Sequence, residues 1–151
     1  MSKDTKHNAN QPDQYREVSI DEISLEGLPP LNLGALFMPP IWGPAHGIWI
    51  TILYYPAWLL IDNLLYGAYA NPSPLAVVLA IIAALILTGV TVVFARASQV
   101  YALRRDLSLG KTKEQYRKRQ VKWAVAMGIL AAIMIAAATY YNLVIRPTIG
   151  A

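Results

Sequence analysis

Residues 31–61 read LNLGALFMPPIWGPAHGIWITILYYPAWLLI, a run with no Asp, Glu, Lys or Arg. It holds three of the four tryptophans, one of the two histidines, and the prolines Pro39, Pro40, Pro44 and Pro56. A helical bilayer crossing needs about 20 apolar residues, so the run is too long for one crossing and too short for two comfortable ones. Its prolines suggest where it divides. Proline lacks a backbone donor and clashes with the preceding turn, so Pro39-Pro40 predict a break near Met38. Residues 31–38 then form a piece of about 12 Å, which lies at the interface or re-enters. Residues 41–61 give about 31 Å, enough for a first transmembrane helix, with a kink at Pro56.

Upstream, residues 1–30 are polar and acidic and read as a disordered tail, with capping-box spacing from Ser19 to Glu22. The tail has no apolar signal-peptide core, so the first apolar run is expected to target the chain to the membrane. Downstream, residues 62–74 read as a loop with Tyr66 and Tyr69 at interface depth. Residues 75–95 are uncharged and aliphatic, the second crossing. Beyond Arg96 the helix can continue, because Val100, Leu103 and Leu107 keep a three-to-four spacing up to Gly110. Residues 96–122 read as a basic loop, in which Thr112 and Gln115 have capping-box spacing for a new helix. Residues 124–145 form the third crossing, stopped by Arg146-Pro147, and residues 148–151 are a short tail. Gly128 and Ala132 make a small-xxx-small pair within that crossing.

Composition agrees with this division. Hydrophobic residues make up 56% of the chain, against about 45–50% in soluble domains. The net charge is +4, yet the positive residues concentrate between two apolar runs, which fits a membrane-orienting loop and not a nucleic-acid surface. Nine Lys and Arg lie between 96 and 122, against Asp106 and Glu114. The positive-inside rule therefore places 96–122 and the N-terminus in the cytoplasm and residues 62–74 outside. A competing topology makes 31–61 a re-entrant pair of half-helices and leaves two crossings. The absence of Cys excludes disulfides, thiolate metal sites and Cys nucleophiles.

His46 is the residue that invites a functional reading, since an ionisable group in an apolar segment is a candidate proton carrier or ligand. On a helix it shares a face with Trp42 and Trp49. No carboxylate accompanies it within a span and a lone His is no complete metal site, so packing or bonding to a backbone group freed by proline is the favoured role. Gly43 and Gly47 have GxxxG spacing, which suits close helix approach or relief of a kink at Pro44. LSLGKT lacks the first glycine of a phosphate loop, and no catalytic motif is present. No catalytic, cofactor-binding or metal-ligating residue is identified, and no cofactor is expected.

The run from Asn32-Leu33-Gly34-Ala35-Leu36-Phe37 through Pro39-Pro40-Ile41-Trp42 to Gly47-Ile48-Trp49 resembles the signature of a bacterial domain-of-unknown-function family of small inner-membrane proteins. Lys113, Gln115 and Tyr116, followed by Arg119-Gln120 and Trp123, are similar to the entry to that family's last span. The likeness covers about half the chain and departs at Leu36, where a second aromatic is the pattern. It implies a multi-pass membrane protein and carries no ligand or catalytic residue.

The expected architecture is all-α: a small multi-pass inner-membrane protein with three transmembrane helices and a short interfacial or re-entrant N-terminal helix. The expected role is a non-enzymatic structural or accessory subunit, partnered by the bilayer, by anionic head groups at the basic loop, and by a second copy or another membrane protein. The alternative is an oligomeric channel or transporter with 31–61 as a re-entrant pore element.

Overall fold

The computed structural model describes residues 17–18 and 23–149, so the acidic tail up to residue 16 and the Ser19 and Glu22 pattern lie outside the described residues. Those described form helices and turns, with no strand among them. The helices are α1 (Leu33–Phe37), α2 (Pro39–Ala45), a 3₁₀ helix (Trp49–Leu53), α3 (Tyr54–Ala70), α4 (Pro74–Ser108), α5 (Lys113–Tyr140), a π-helical turn (Tyr141–Ile145) and α6 (Arg146–Ile149).

The uncharged run breaks where the double proline predicts, and then breaks again. Asn32 caps α1 by accepting from the Ala35 N–H, and Pro39-Pro40 occupy the first turn of α2, where missing donors cost nothing. The expected helix over 41–61 is not continuous. α2 stops at Ala45, Gly47 turns the chain at φ 84°, and the 3₁₀ helix follows. A positive φ suits glycine because it has no Cβ to clash. Thr51 folds back over Gly43, where any Cβ would run into its side chain. The GxxxG spacing therefore serves a turn within this chain. The kink expected at Pro56 is also displaced, because Pro56 lies in the first turn of α3.

α3 then runs well past the expected end of the first crossing. Asp62 and Asn63 lie inside it, and the loop expected over 62–74 shrinks to residues 71–73. Ser73 caps α4 by accepting from Ala76 N–H at 3.2 Å, with Pro74 at its first position. The basic region 96–122 is mostly helix as well. α4 passes Arg96 and ends at Ser108, and the Thr112/Gln115 capping box starts α5. Two helices, Pro74–Ser108 and the continuous Lys113–Ile149, are long and apolar enough to cross a membrane.

The core sits at the end of this helix pair nearest its connecting turn. α4 and α5 touch each other little, and α1 fills the angle between them. The Asn32 N–H donates to the Ala95 carbonyl at 3.0 Å, Gly34 lies against Trp42 and Trp123, and Phe37 packs on Gly128. Ala35, Trp42, Ala95, Ala102, Leu103 and Tyr116 form the buried apolar cluster. Away from the turn the packing thins. α3 lies along α4, while every residue of α5 from 132 to 140 is exposed.

Candidate functional site: a buried polar lock at the turn end

Gln120 organises the turn end. Its Oε1 accepts from Asn32 Nδ2 at 3.0 Å and from the Trp42 indole Nε1 at 3.2 Å. An indole nitrogen can only donate, so the Gln120 oxygen must face Trp42 and its NH2 must face the other way. On that other side lies His46, with Nε2 3.3 Å from Gln120 Nε2. His46 Nε2 must therefore accept, and the ring proton resides on Nδ1. Nδ1 lies 2.7 Å from the Trp42 carbonyl, an acceptor. One tautomer and one amide orientation satisfy all four contacts. The neutral ring with its proton on Nδ1 follows from hydrogen-bond chemistry alone.

Aromatic packing fixes the same ring. His46 stacks on Trp42 with centroids 3.9 Å apart and planes 15° from parallel, and meets the Trp123 edge at 5.4 Å. Only 2% of the residue is exposed. This burial is the largest cause of a pKa held below the ordinary 6.5; the Trp42 carbonyl and Asp106 pull upward, and Arg119 and Arg105 push down. Trp49, expected on the same face, lies beyond the Gly47 turn and is 68% exposed. Of the expected aromatic pair, Trp42 alone meets the histidine.

Two further ties close the cluster. Tyr116 donates from its hydroxyl to Gln99 Oε1 at 2.9 Å, and Gln99 Nε2 donates to the Pro29 carbonyl at 3.1 Å. These join the chain entering α1 to both long helices. Nearer the turn, Asp106 Oδ1 accepts from Arg119 at 2.6 Å and from Lys111 at 3.2 Å. The carboxylate is 1% exposed, and its Oδ2 has no hydrogen-bond partner among the described residues. Arg105 reaches to 3.4 Å from the Ala45 carbonyl, placing positive charge at the C-terminal end of α2.

A second polar tie lies at the opposite end. Asn142, in the π-helical turn, donates to Asp62 Oδ1 at 2.6 Å. Arg146 donates to Asn142 Oδ1 at 3.1 Å and to Asn63 Oδ1 at 2.7 Å, and covers the Tyr66 ring at 3.9 Å. π-helical turns recur at functional positions, and this one coincides with the residue that links the exposed part of α5 to α3.

Sequence reasoning placed His46 and Trp42 in an apolar segment, met Asn32, Tyr116 and Gln120 only as positions of a resemblance that carries no ligand residue, and missed Gln99. A signal existed: Tyr116, Gln120, Trp123 and Met127 keep a helical spacing, as do Ala95, Gln99, Ala102, Leu103 and Asp106. The buried face of α4 is this one; of the spacing that continues the helix, Leu103 is buried and Val100 is exposed. Both ring nitrogens of His46 are engaged within the chain. Among the described residues, no group of three or more His, Cys, Asp or Glu is placed to hold a metal. The cluster's evident chemistry is to fix residues 29–46 against α4 and α5. Comparison with protein-family models, curated proteins and solved structures finds no match.

Proposed function

We propose that the chain is a three-crossing protein of a bacterial inner membrane, acting as a non-enzymatic structural or accessory subunit whose exposed helices pack against partner helices. The first crossing in this reading is the 3₁₀ helix plus α3, not residues 41–61. At about 2.0 Å and 1.5 Å of rise per residue, that pair extends roughly 36 Å, enough for the ~30 Å hydrocarbon core. His46 then lies outside the crossing, at the cytoplasmic interface with the basic turn. Asp62 lies within it, and its hydrogen bond to Asn142 supplies the polar partner such a residue needs in lipid.

The observation that carries the subunit role is the exposure of α5 on every face from 132 to 140. A stretch dominated by small and aliphatic residues and left exposed by the described residues has room for a helix of another chain. His46 speaks against the pore reading, because a water-facing relay does not fit a ring that is 2% exposed and enclosed by Trp42 and Trp123.

The test is a single-cysteine scan in cells, made clean by the absence of native Cys. Cysteine at Asn10 and at Lys111 is expected to label from the cytoplasmic side and at Ser73 from the other. Ala136→Cys is expected to crosslink to a protein in native membranes. Labelling of Asn10 and Ser73 from one side removes the three-crossing topology. An Ala136→Cys variant that crosslinks to nothing removes the subunit role.

A further inference from the structure

A cleft of about 70 Å³ opens beside the polar lock, where the chain entering α1 crosses the first turns of α5. A water needs only about 10–15 Å³, so the cleft has room for a multi-atom group. Leu31 and Leu33 form one wall, with Val121 and Ala124 opposite, and Arg117 lines it as well. The spacing of Lys113, Arg117, Val121 and Ala124 puts them along one side of α5. That side changes from basic to apolar in the direction leading away from the turn. Arg117 is exposed and has no ion-pair or hydrogen-bond partner among the described residues. Lys118, one residue on, is instead paired with Glu114 at 2.8 Å.

The inner wall holds Asn32, Gln99 and Gln120. Each primary amide carries two N–H donors; Asn32 directs its amide to Gln120 and Tyr116, while Gln99 and Gln120 each have one acceptor among the described residues. The remaining donors suit a ligand rich in acceptor oxygens. An arginine with no partner among the described residues, amide donors and apolar walls are the three kinds of contact that a phospholipid's phosphate, glycerol esters and acyl chain would take.

We propose that this cleft binds one anionic phospholipid of the membrane, with its phosphate on Arg117 and an acyl chain along Val121, Ala124 and Leu33. The inference rests on the membrane reading above and makes it specific to a site. The lipid lies over the crossing of residues 29–33 with α5, so it holds in place the same segment that Gln120 and Gln99 tie down.

The test uses the full chain, purified from the membrane fraction in mild detergent, stripped of lipid and titrated with phosphatidylglycerol or phosphatidylcholine under native mass spectrometry. Failure to sediment with membranes counts against the membrane reading itself, before any lipid is added. For the wild type, phosphatidylglycerol is expected to bind in preference to phosphatidylcholine. Arg117→Ala is expected to weaken it roughly fivefold, the effect of one basic residue at a lipid surface. Val121→Trp, which fills the cleft, is expected to abolish retention while an unchanged circular-dichroism melt reports an intact fold. Lys118→Ala, already neutralised by Glu114, is expected to bind like the wild type. Equal binding of both lipids, undiminished binding by Val121→Trp, or equal losses in Arg117→Ala and Lys118→Ala would each overturn the site.

Discussion

The amide nitrogen of Gln120 donates to His46 Nε2 across 3.3 Å, while the Gln120 oxygen holds the indole N–H of Trp42 at 3.2 Å. Because the indole cannot accept, the amide cannot turn over to suit a protonated histidine. A proton on Nε2 would set donor against donor. His46 must therefore stay neutral for the lock to close, and stability follows pH through that one group. Its pKa is lowered in the fold, so the unfolded chain binds more protons. Stability is complete above the ordinary value of 6.5 and falls as pH drops below it toward the folded pKa. Thermal melts of the detergent-solubilised protein between pH 8 and 5 are expected to show this decline. In His46→Phe the decline over the same window should shrink, although the variant starts lower at pH 8 because Gln120 has lost its acceptor. A wild-type slope that survives this substitution unaltered would assign the acid sensitivity elsewhere.

Gln120→Glu should reverse the dependence. A carboxylate still accepts from Asn32 and Trp42 but has no hydrogen to give a neutral imidazole, and it favours the charged ring. The variant is expected to be less stable than the wild type at pH 8 and to recover relative to it near pH 5.5. Gln120→Leu removes both functions and strands three buried polar groups. At about 1–3 kcal/mol for each unsatisfied group, a loss of roughly 3 kcal/mol or more is expected at every pH. Parallel curves for Gln120→Glu and the wild type would show that residue 120 does not read the charge of His46.

The lock also explains which parts of the structure were legible in the sequence. The helical class and the two long apolar helices were, because continuous aliphatic runs and a capping box are local signals. The division of residues 31–61 was legible only at its first break. Pro39-Pro40 announce themselves, whereas the positive φ of Gly47 and the fold of Thr51 over Gly43 depend on tertiary packing. Reading Asp62 as a helix terminator failed for a related reason: its partner, Asn142, is 80 residues away. The cluster itself is built from pairs 74 and 88 residues apart in sequence. Asn32 in an uncharged run and Gln99 and Gln120 in a basic stretch give no hint of such partners, and the nine cations between 96 and 122 masked the inward faces of α4 and α5.

Glycines at two positions should respond very differently to alanine. At Gly43 a new Cβ meets Thr51, itself buried and donating to the Ile48 carbonyl at 2.7 Å, so neither side can yield cheaply. Forced contacts of this kind cost about 1–3 kcal/mol. At Gly128 the nearest atom is the Phe37 ring edge at 3.4 Å, an ordinary contact, and alanine is the better helix former by up to about 1 kcal/mol. Gly43→Ala is therefore expected to lower the melting temperature and Gly128→Ala to leave it level or raise it. Equal destabilisation by both would mean that the GxxxG spacing does not act through the Thr51 turn.

Asp106 poses the sharpest test of the turn end, because one of its oxygens carries both cations and the other has no partner among the described residues. Asparagine preserves shape and keeps one acceptor for Arg119, but it removes the charge that holds Arg119 and Lys111 together. Breaking a fully buried pair costs about 3–5 kcal/mol, and Arg119, at 35% exposed, recovers part of that from water. A loss of roughly 2 kcal/mol is expected for Asp106→Asn on that scale. Asp106→Leu is expected to lose more, since it removes the acceptor as well. Adding Arg119→Leu to Asp106→Leu should then recover stability, because Arg119 is no longer stranded and Lys111, at 36% exposed, is left to water. Denaturant titration of the two single variants and the double variant closes the cycle. A double variant less stable than Asp106→Leu alone would mean that Arg119 holds the turn through contacts other than this carboxylate.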